Sequence, residues 1–322
     1  MSNSSLVSLG VYSLPELERE CSAAVRPFLI DGIIPECSLA ILAGDSGLGK
    51  SAFAYQLGLC MACGLPFLGH RVKQGKVLYI DLENGKSGIV QVCRALGRSL
   101  QLERLPENIS IGTERFDKAG IEKVLKDVQP ALVIIDSLRA FSPEAESKNA
   151  TAAAGLSELR TQALQYQVTF LVIHHIRKPS KEGACPLEDS RVTIWMNEAS
   201  GARALINQTD VRIGFDVSRQ DDSRLIVKGF TRIQGEFGPL YLRRVYDEEG
   251  EPIGYEHLRG IELISNPAQQ EAFKNLPPEF RFKDAKRMYG REDQATSDFL
   301  RKCEGFGLLL RVEKGLYRKV AE

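Results

Sequence analysis

No run in this 322-residue chain is apolar for long enough to cross a membrane, and its first ten residues, MSNSSLVSLG, lack the basic-then-apolar order of a secretion signal. Both absences point to a cytoplasmic protein. There is no net charge to draw the whole molecule to nucleic acid. Lys and Arg number 42 against 42 Asp and Glu, so any such binding must come from a local patch. The seven cysteines are scattered. Only Cys60 and Cys63 form a CxxC; with no second pair to complete a zinc site, they read as packed thiols in a helix. Internal repeats and low-complexity tracts are also missing. What remains, 43% hydrophobic and 26% charged, is an ordinary globular composition, long enough for one large domain and a smaller appendage.

Short β-type runs recur between helical or loop segments: LAILAG, KVLYIDLE, ISIG, ALVIID, VTFLVIHH, VRIGFDV and RLIVKGF. The central runs are nearly continuous Val, Ile and Leu without polar alternation. Strands buried on both faces of a mostly parallel sheet between helices have this pattern. The later runs, from Val211 to Tyr241, are joined by short polar connectors such as SRQDDS and read as antiparallel additions at one sheet edge. The expected class is therefore α/β. Around SNPAQQEAFKNLPPEF the composition shifts to Pro, Asn and Gln, which reads as a linker. Beyond it, FKDAKRMYG and EDQATSDFLRKCEGFG read as two short helices, and LLLRVEKGLYRKV as a hairpin turning at Glu313-Lys314-Gly315. That order outlines a winged helix. The expected division is residues 1–265, of which the first 25 are a lead-in, and residues 266–322.

One apolar run is broken by glycines, a lysine and a serine. Gly44-Asp45-Ser46-Gly47-Leu48-Gly49-Lys50-Ser51 satisfies G-x-x-x-x-G-K-[ST], between a buried strand and a helix that continues through Ala52. The glycines let successive backbone N–H groups turn inward around an anion, and the helix N-terminus adds to that field. Lys50 reaches the terminal phosphates and the Ser51 hydroxyl takes a Mg²⁺ position. The interruption is a nucleotide cradle, with ATP and Mg²⁺ as its expected occupants.

A second carboxylate is needed for the metal. Asp136 supplies it after four aliphatic residues, at the end of a buried strand expected beside the phosphate-loop strand. Hydrolysis also needs a group to orient water. VLYIDLENG ends another strand with Asp81, Glu83 and Asn84; Glu83 lies further beyond the carboxyl edge, where ligands of open α/β sheets collect, and is the expected base. His174 and His175 close a further strand. One of them is expected to touch the γ-phosphate or the water, with the weight on His174.

These elements in this order resemble the RecA-like ATPases, specifically the RepA-type hexameric helicases of plasmids and mobile elements, with DnaB more distant. FLIDGIIPECSLAILAGDSGLGKS, CGLPFLGHRVKQGKVLYIDLEN, LVIIDS, HHIRK, ASGARALINQTDVRIGF and KGFTRIQGEFGPLYL carry the resemblance, over roughly residues 26 to 245. It implies a RecA-like core whose nucleotide lies between neighbouring subunits of a ring. By position it gives Lys50, Ser51 and Asp136 to Mg-ATP, Glu83 to water activation and a histidine of 174–175 to γ-phosphate sensing. It also implies a cation donated by the adjacent subunit, a place that Lys228 and Arg232 occupy, with Arg203 as a competitor. The segment 177–199 matches the position where relatives touch single-stranded DNA. There Arg177, Lys178 and Lys181 could meet phosphates and Trp195 could stack on a base, although Glu182, Glu188 and Asp189 dilute the charge.

From Arg281 to Lys319 eleven Lys or Arg face six Asp or Glu, a local basic excess in a neutral chain. A winged helix there would lay DQATSDFLRKCEG on duplex DNA and present Arg311, Lys314, Arg318 and Lys319 on its wing; such modules also dock proteins. The expected activity is ATP hydrolysis by a ring, hexameric by resemblance, acting on DNA as a helicase in replication. The competing expectations are an ATP-gated switch that recruits partners, KaiC-like in logic, and a small-molecule kinase, which the absence of a recognisable lid segment disfavours.

Overall fold

The computed structural model describes residues 12–20, 26–141, 149–176, 185–200, 207–219 and 221–320. The strands are β1 (Phe28–Ile30), β2 (Ile34–Pro35), β3 (Leu39–Gly44), β4 (Val77–Asp81), β5 (Ile109–Gly112), β6 (Leu132–Asp136), β7 (Thr169–His175), β8 (Val211–Val217), β9 (Arg224–Thr231), β10 (Gly235–Tyr246), β11 (Pro252–Leu258), β12 (Glu279–Arg281), β13 (Leu309–Glu313) and β14 (Leu316–Lys319). Nine of them form one sheet in the order β11-β10-β9-β8-β3-β7-β6-β4-β5. From β8 to β5 every pairing is parallel. The remaining strands extend one edge antiparallel, and helices flank the sheet. This is the mostly parallel α/β sheet, with further strands at one edge, that the apolar runs led us to expect.

The reason lies in the strands themselves. Every residue of β3, β4 and β6 is buried, as in strands covered on both faces. Two glycines set the junction that matters most. A Cβ on Gly44 would stand 2.3 Å from the Phe215 carbonyl oxygen, so only glycine lets β3 end this close to β8. Gly49, at φ 94°, holds the left-handed conformation ahead of the helix Lys50–Cys63. That helix is buried on nearly all sides; Cys60 is packed within it, while Cys63, its last residue, is half-buried. Burial lifts the Cys60 thiol to about 12.

One neighbour relation differs from expectation. β6 does not lie beside β3; β7 is inserted between them, with Gly44 in register with His175. Local sequence gives the strands but not the order in which parallel crossovers bring them together. The insertion sets the second histidine at the mouth of the glycine loop.

The chain divides into two compact units. The first holds the described residues through Asp216 with Val227–Pro239 and Val245–Gly254. The second holds Val217–Ile226, Leu240–Arg244 and the described residues from Tyr255 on. The division thus begins earlier than the expected boundary at residues 265 and 266. SNPAQQEAFKN is no linker but a helix, Pro267–Asn275, capped by the Asn266 side chain, which accepts from the Ala268 and Gln269 N–H groups. After it come β12, the helices Phe282–Tyr289 and Asp293–Gly305, and the β13–β14 hairpin, in a three-stranded sheet of order β12-β14-β13. Phe280, Phe299, Leu300, Cys303 and Tyr317 form its core. On the hairpin Arg318 pairs with Glu279 at 2.8 Å, and the Lys319 ammonium donates to the Leu276 carbonyl. Both are held within the unit, which leaves Arg311 and Lys314 exposed for any ligand.

Candidate functional site

The carboxyl ends of β3, β4, β6 and β7 surround a cavity of about 730 Å³. Its floor is the glycine loop, with Ser46, Gly47, Gly49, Lys50 and Ser51 on the lining; Glu83 enters from beyond β4 and His175 from the end of β7. Gly44, Asp45, Leu48 and Ala52 belong to the same strand–loop–helix segment, where Asp45 accepts the Ser46 N–H at 2.8 Å.

Lys50 is nearly enclosed, at 3% exposure. Its ammonium donates to the Asp45 carbonyl at 2.7 Å and lies 3.1 Å from His175 Nδ1. Burial lowers its proton affinity, opposed by Asp136, Asp45 and Glu83. His175 touches three groups: Lys50, the Ser46 hydroxyl at 3.4 Å through Nδ1, and Glu83 at 3.4 Å through Nε2. Glu83 also accepts from the Ser137 hydroxyl, so two elements fix the carboxylate while it stays open to the cavity.

His174 is not on this lining. Alternation along β7 turns its ring into the packed interior, where burial, with smaller contributions from His175 and Lys50, lowers its proton affinity to about 4. The weight that the sequence put on His174 is corrected in favour of His175. Asp81 likewise fails to reach the cavity. It accepts the Tyr55 hydroxyl at 2.8 Å and the Glu83 and Asn84 N–H groups, shaping the turn that presents Glu83.

Asp136 ends β6 without any exposed surface. Its Oδ2 accepts the Tyr79 hydroxyl at 2.8 Å, and the Tyr79 ring stacks on Tyr55 with centroids 3.8 Å apart. Its Oδ1 is buried without a hydrogen-bond partner. Burial raises the carboxyl's proton affinity, against the nearby Ser51 and Tyr79 hydroxyls, which favour the charged form. An orphaned anionic oxygen behind Lys50 and Ser51 fits a small hard cation, which keeps most of its shell as water and phosphate oxygens and needs few protein ligands. Among the described residues no group of three His, Cys, Asp or Glu side chains could itself hold a metal.

Arg139 and Ala140 also line the cavity, from the short helix Leu138–Phe141. Sequence reasoning passed over Arg139; the signal was its place three residues after Asp136.

The remaining expected residues lie elsewhere. Lys228 donates to the Ser190 carbonyl at 2.6 Å and to those of Glu188 and Leu187, so it is engaged within its own chain. Arg232 is exposed, donates to the Asn207 carbonyl and lies 3.9 Å from Asp210. Trp195 is buried, its ring close enough to Gly214 that a Cβ there would be 3.2 Å away. That is core packing and not an open face for a base. Arg177, Lys178, Lys181, Glu182 and Arg203 lie outside the described residues. No described helix is long and apolar enough to cross a membrane.

Comparison with known proteins agrees with this geometry. A protein-family model described as AAA domain matches residues 13–181, over half of the chain and all of the cavity's lining. The chain belongs to the AAA domain family. Two proteins titled DNA repair protein RadA share sequence with this AAA domain chain. The one from Chlamydia trachomatis is 26% identical over 244 residues, covering 74% of this chain and 44% of its own; the one from Halalkalibacterium halodurans is 24% identical over 239 residues, covering 74% and 43%. The chain thus spans less than half the length of the curated relatives it matches. Among solved structures, a KaiC-like protein from Pyrococcus horikoshii aligns over 72% of this chain and 94% of its own at 19% identity and TM-score 0.47. The RadB recombinase aligns over 70% and 92% at 20% identity and TM-score 0.48.

Proposed function

We propose that this chain is a Mg²⁺-dependent ATPase that acts on DNA as a ring, hexameric in the leading form, with ATP bound at the glycine loop. The observation that carries this reading is the meeting of Lys50, Ser51, Glu83 and His175 over one cavity, with the unpartnered Asp136 oxygen behind it. Lys50 exchanges the Asp45 carbonyl for the β- and γ-phosphates, and the loop amides take the remaining phosphate oxygens. Ser51 and Asp136 would hold the metal, which when bound neutralises charge on the transferring phosphoryl group. Glu83, steadied by Ser137, orients and polarises the attacking water. His175 bridges Lys50 and Glu83 and so senses whether the γ-phosphate is present. Arg232 is the cation offered to the neighbouring copy.

DNA as the partner is supported by the titles of the two RadA relatives and by the basic excess of the C-terminal unit, whose helix, strand, two helices and hairpin follow winged-helix order. We read that unit as a duplex-DNA module. Unwinding in replication of a mobile element is the leading role. A second reading, an ATP-gated DNA-binding or partner-recruiting switch, gains from the burial of Trp195 and from the engagement of Lys228 within its own chain.

The test is ATP turnover with and without single-stranded DNA, alongside the mass of the nucleotide-bound assembly. Lys50→Ala is expected to lower turnover by about a hundredfold or more. Undiminished turnover would overturn the phosphate assignment. Stimulation by single strands identifies a motor, and indifference to DNA with nucleotide-dependent partner binding identifies a switch.

A further inference from the structure

Asp81, the last residue of β4, is 1% exposed, and both of its oxygens are taken. Its Oδ1 accepts the Glu83 N–H at 3.0 Å and the Asn84 N–H at 2.8 Å. The Asn84 side-chain amide spans both oxygens, at 3.2 and 3.0 Å, and Oδ2 also accepts the Tyr55 hydroxyl at 2.8 Å. Tyr55 is equally enclosed and stands one turn after Ser51 on the helix Lys50–Cys63. Its ring lies flat on that of Tyr79, at an interplanar angle of 1°, and the Tyr79 hydroxyl is bonded to Asp136. Asp81 and Asp136 are in register on neighbouring strands, and the Leu82 N–H donates to the Asp136 carbonyl at 2.9 Å. Buried contacts therefore run from the helix that carries Lys50 and Ser51, through Tyr55 and Asp81, to the turn that carries Glu83. Asp81 itself does not line the cavity.

We propose that Asp81 is a positioning residue for hydrolysis: it holds the turn from which Glu83 reaches over the phosphate loop, and Tyr55 sets Asp81 relative to that loop. This role rests on Glu83 as the water-orienting group and adds what keeps that group in place. Such a group works only in a narrow geometry, and a misplacement of about 1 Å can cost roughly a hundredfold in rate. Ser137 and His175 hold the Glu83 carboxylate from elements other than its own. Those contacts choose where the side chain ends. The N–H bonds to Asp81 fix the backbone from which it starts. A buried carboxylate is costly without donors, and the donors that offset that cost on Asp81 come from the Glu83–Asn84 turn and from the helix behind the phosphate loop. Because Asp81 has no surface on the cavity, its removal changes the rate of hydrolysis and not the grip on nucleotide.

The test is ATP turnover of the full chain, with ADP titrations counting the binding-competent molecules so that kcat is per folded site. Asp81→Ala is expected to lower kcat by about tenfold to a hundredfold, with KM for ATP and the affinity for ADP within about twofold of the unaltered chain. Asp81→Asn keeps an oxygen for the two backbone N–H groups and is expected to recover most of that loss. Tyr55→Phe keeps the stacked ring and deletes only the donor. It is expected to lower kcat by about threefold or more at unchanged KM, and it decides the matter where Asp81→Ala does not fold. A double-variant cycle separates positioning from general damage. If Asp81 acts through Glu83, adding Asp81→Ala to Glu83→Gln leaves the residual single-turnover release of labelled phosphate unchanged. A residue with a structural role alone lowers both backgrounds by the same factor. An unchanged kcat in these variants, a loss that falls on KM, or equal losses in the two backgrounds overturns the positioning role. No turnover in the unaltered chain strikes the proposed ATPase itself, whereas turnover that ignores Asp81 strikes the positioning role alone.

Discussion

Two adjacent histidines with the same chemistry have opposite environments because a strand alternates its side chains. His175 reaches the cavity and three polar partners, while His174 is enclosed and its Nδ1 is unpaired. The consequence for stability has a definite sign. Burial holds the native His174 at about 4 against the usual 6.5, so between those values the unfolded chain binds a proton that the native one refuses. Stability is therefore lost as pH falls from about 6.5 towards 4, and the loss below that window is about 3 kcal/mol. His174→Asn is expected to flatten this part of the profile. Urea midpoints taken between pH 8 and pH 4.5 check it, and a slope as steep as that of the unaltered chain would count against His174 as its source. Tyr79 gives a second residue-level prediction. It is the hydroxyl donor to Asp136 Oδ2, and the other oxygen is already unpaired. Tyr79→Phe leaves the buried carboxylate only the nearby Ser51 hydroxyl, so we expect a loss of about 1–3 kcal/mol in denaturant unfolding. No measurable loss would mean that the carboxylate relaxes towards water.

At the scale of elements, the helix Pro267–Asn275 shows what composition hides. Pro, Asn and Gln suggested a linker, yet Asn at the cap and Pro at the first helical position are start signals when taken by position. Asn266→Ala removes the acceptor of two N–H groups and should cost about 1 kcal/mol, read from the unfolding midpoint of the full chain. An unchanged midpoint would show that water or a neighbour replaces the cap. The strands of the core were legible because burial on both faces leaves an unbroken aliphatic run, and the glycine loop because G-x-x-x-x-G-K-[ST] can be read from residue identity and spacing alone. Glu83 was legible from its place beyond a strand end. The choice between His174 and His175 was not, since it depends on β7 standing next to β3, and neighbour order is a property of the sheet rather than of any one strand. Arg139 was missed for a similar reason: a four-residue helix leaves no periodicity to read. Trp195 and Lys228 were assigned roles by position in a resemblance, and their packing answered differently. A tryptophan against Gly214 and a lysine bound to three carbonyls have local partners that sequence cannot name.

For the whole molecule, the decisive question is whether the cation that completes catalysis comes from another copy. Of the two late-strand candidates, Lys228 is part-buried and engaged by three carbonyls of its own chain, and Arg232 is exposed, donates to the Asn207 carbonyl and lies 3.9 Å from a carboxylate it shares with Arg160. Arg232 is also absent from the lining of its own chain's cavity. If it acts in trans, two inactive variants can complement each other. An Arg232→Ala copy keeps Glu83 and lacks only the arginine it would give away; a Glu83→Gln copy keeps that arginine and lacks its own base. In an equal mixture, each interface needs the first variant on the cavity side and the second on the donor side. Random assembly makes about a quarter of the interfaces competent, so turnover should return to about a quarter of that of the unaltered ring. Either variant alone should bind ATP and hydrolyse almost none. An arginine acting in cis would give no recovery at any ratio, because every chain in the mixture then lacks one of the two groups. Recovery that rises with the mixing ratio, peaks near equality and vanishes when the copies are kept too dilute to assemble would place Arg232 across the interface.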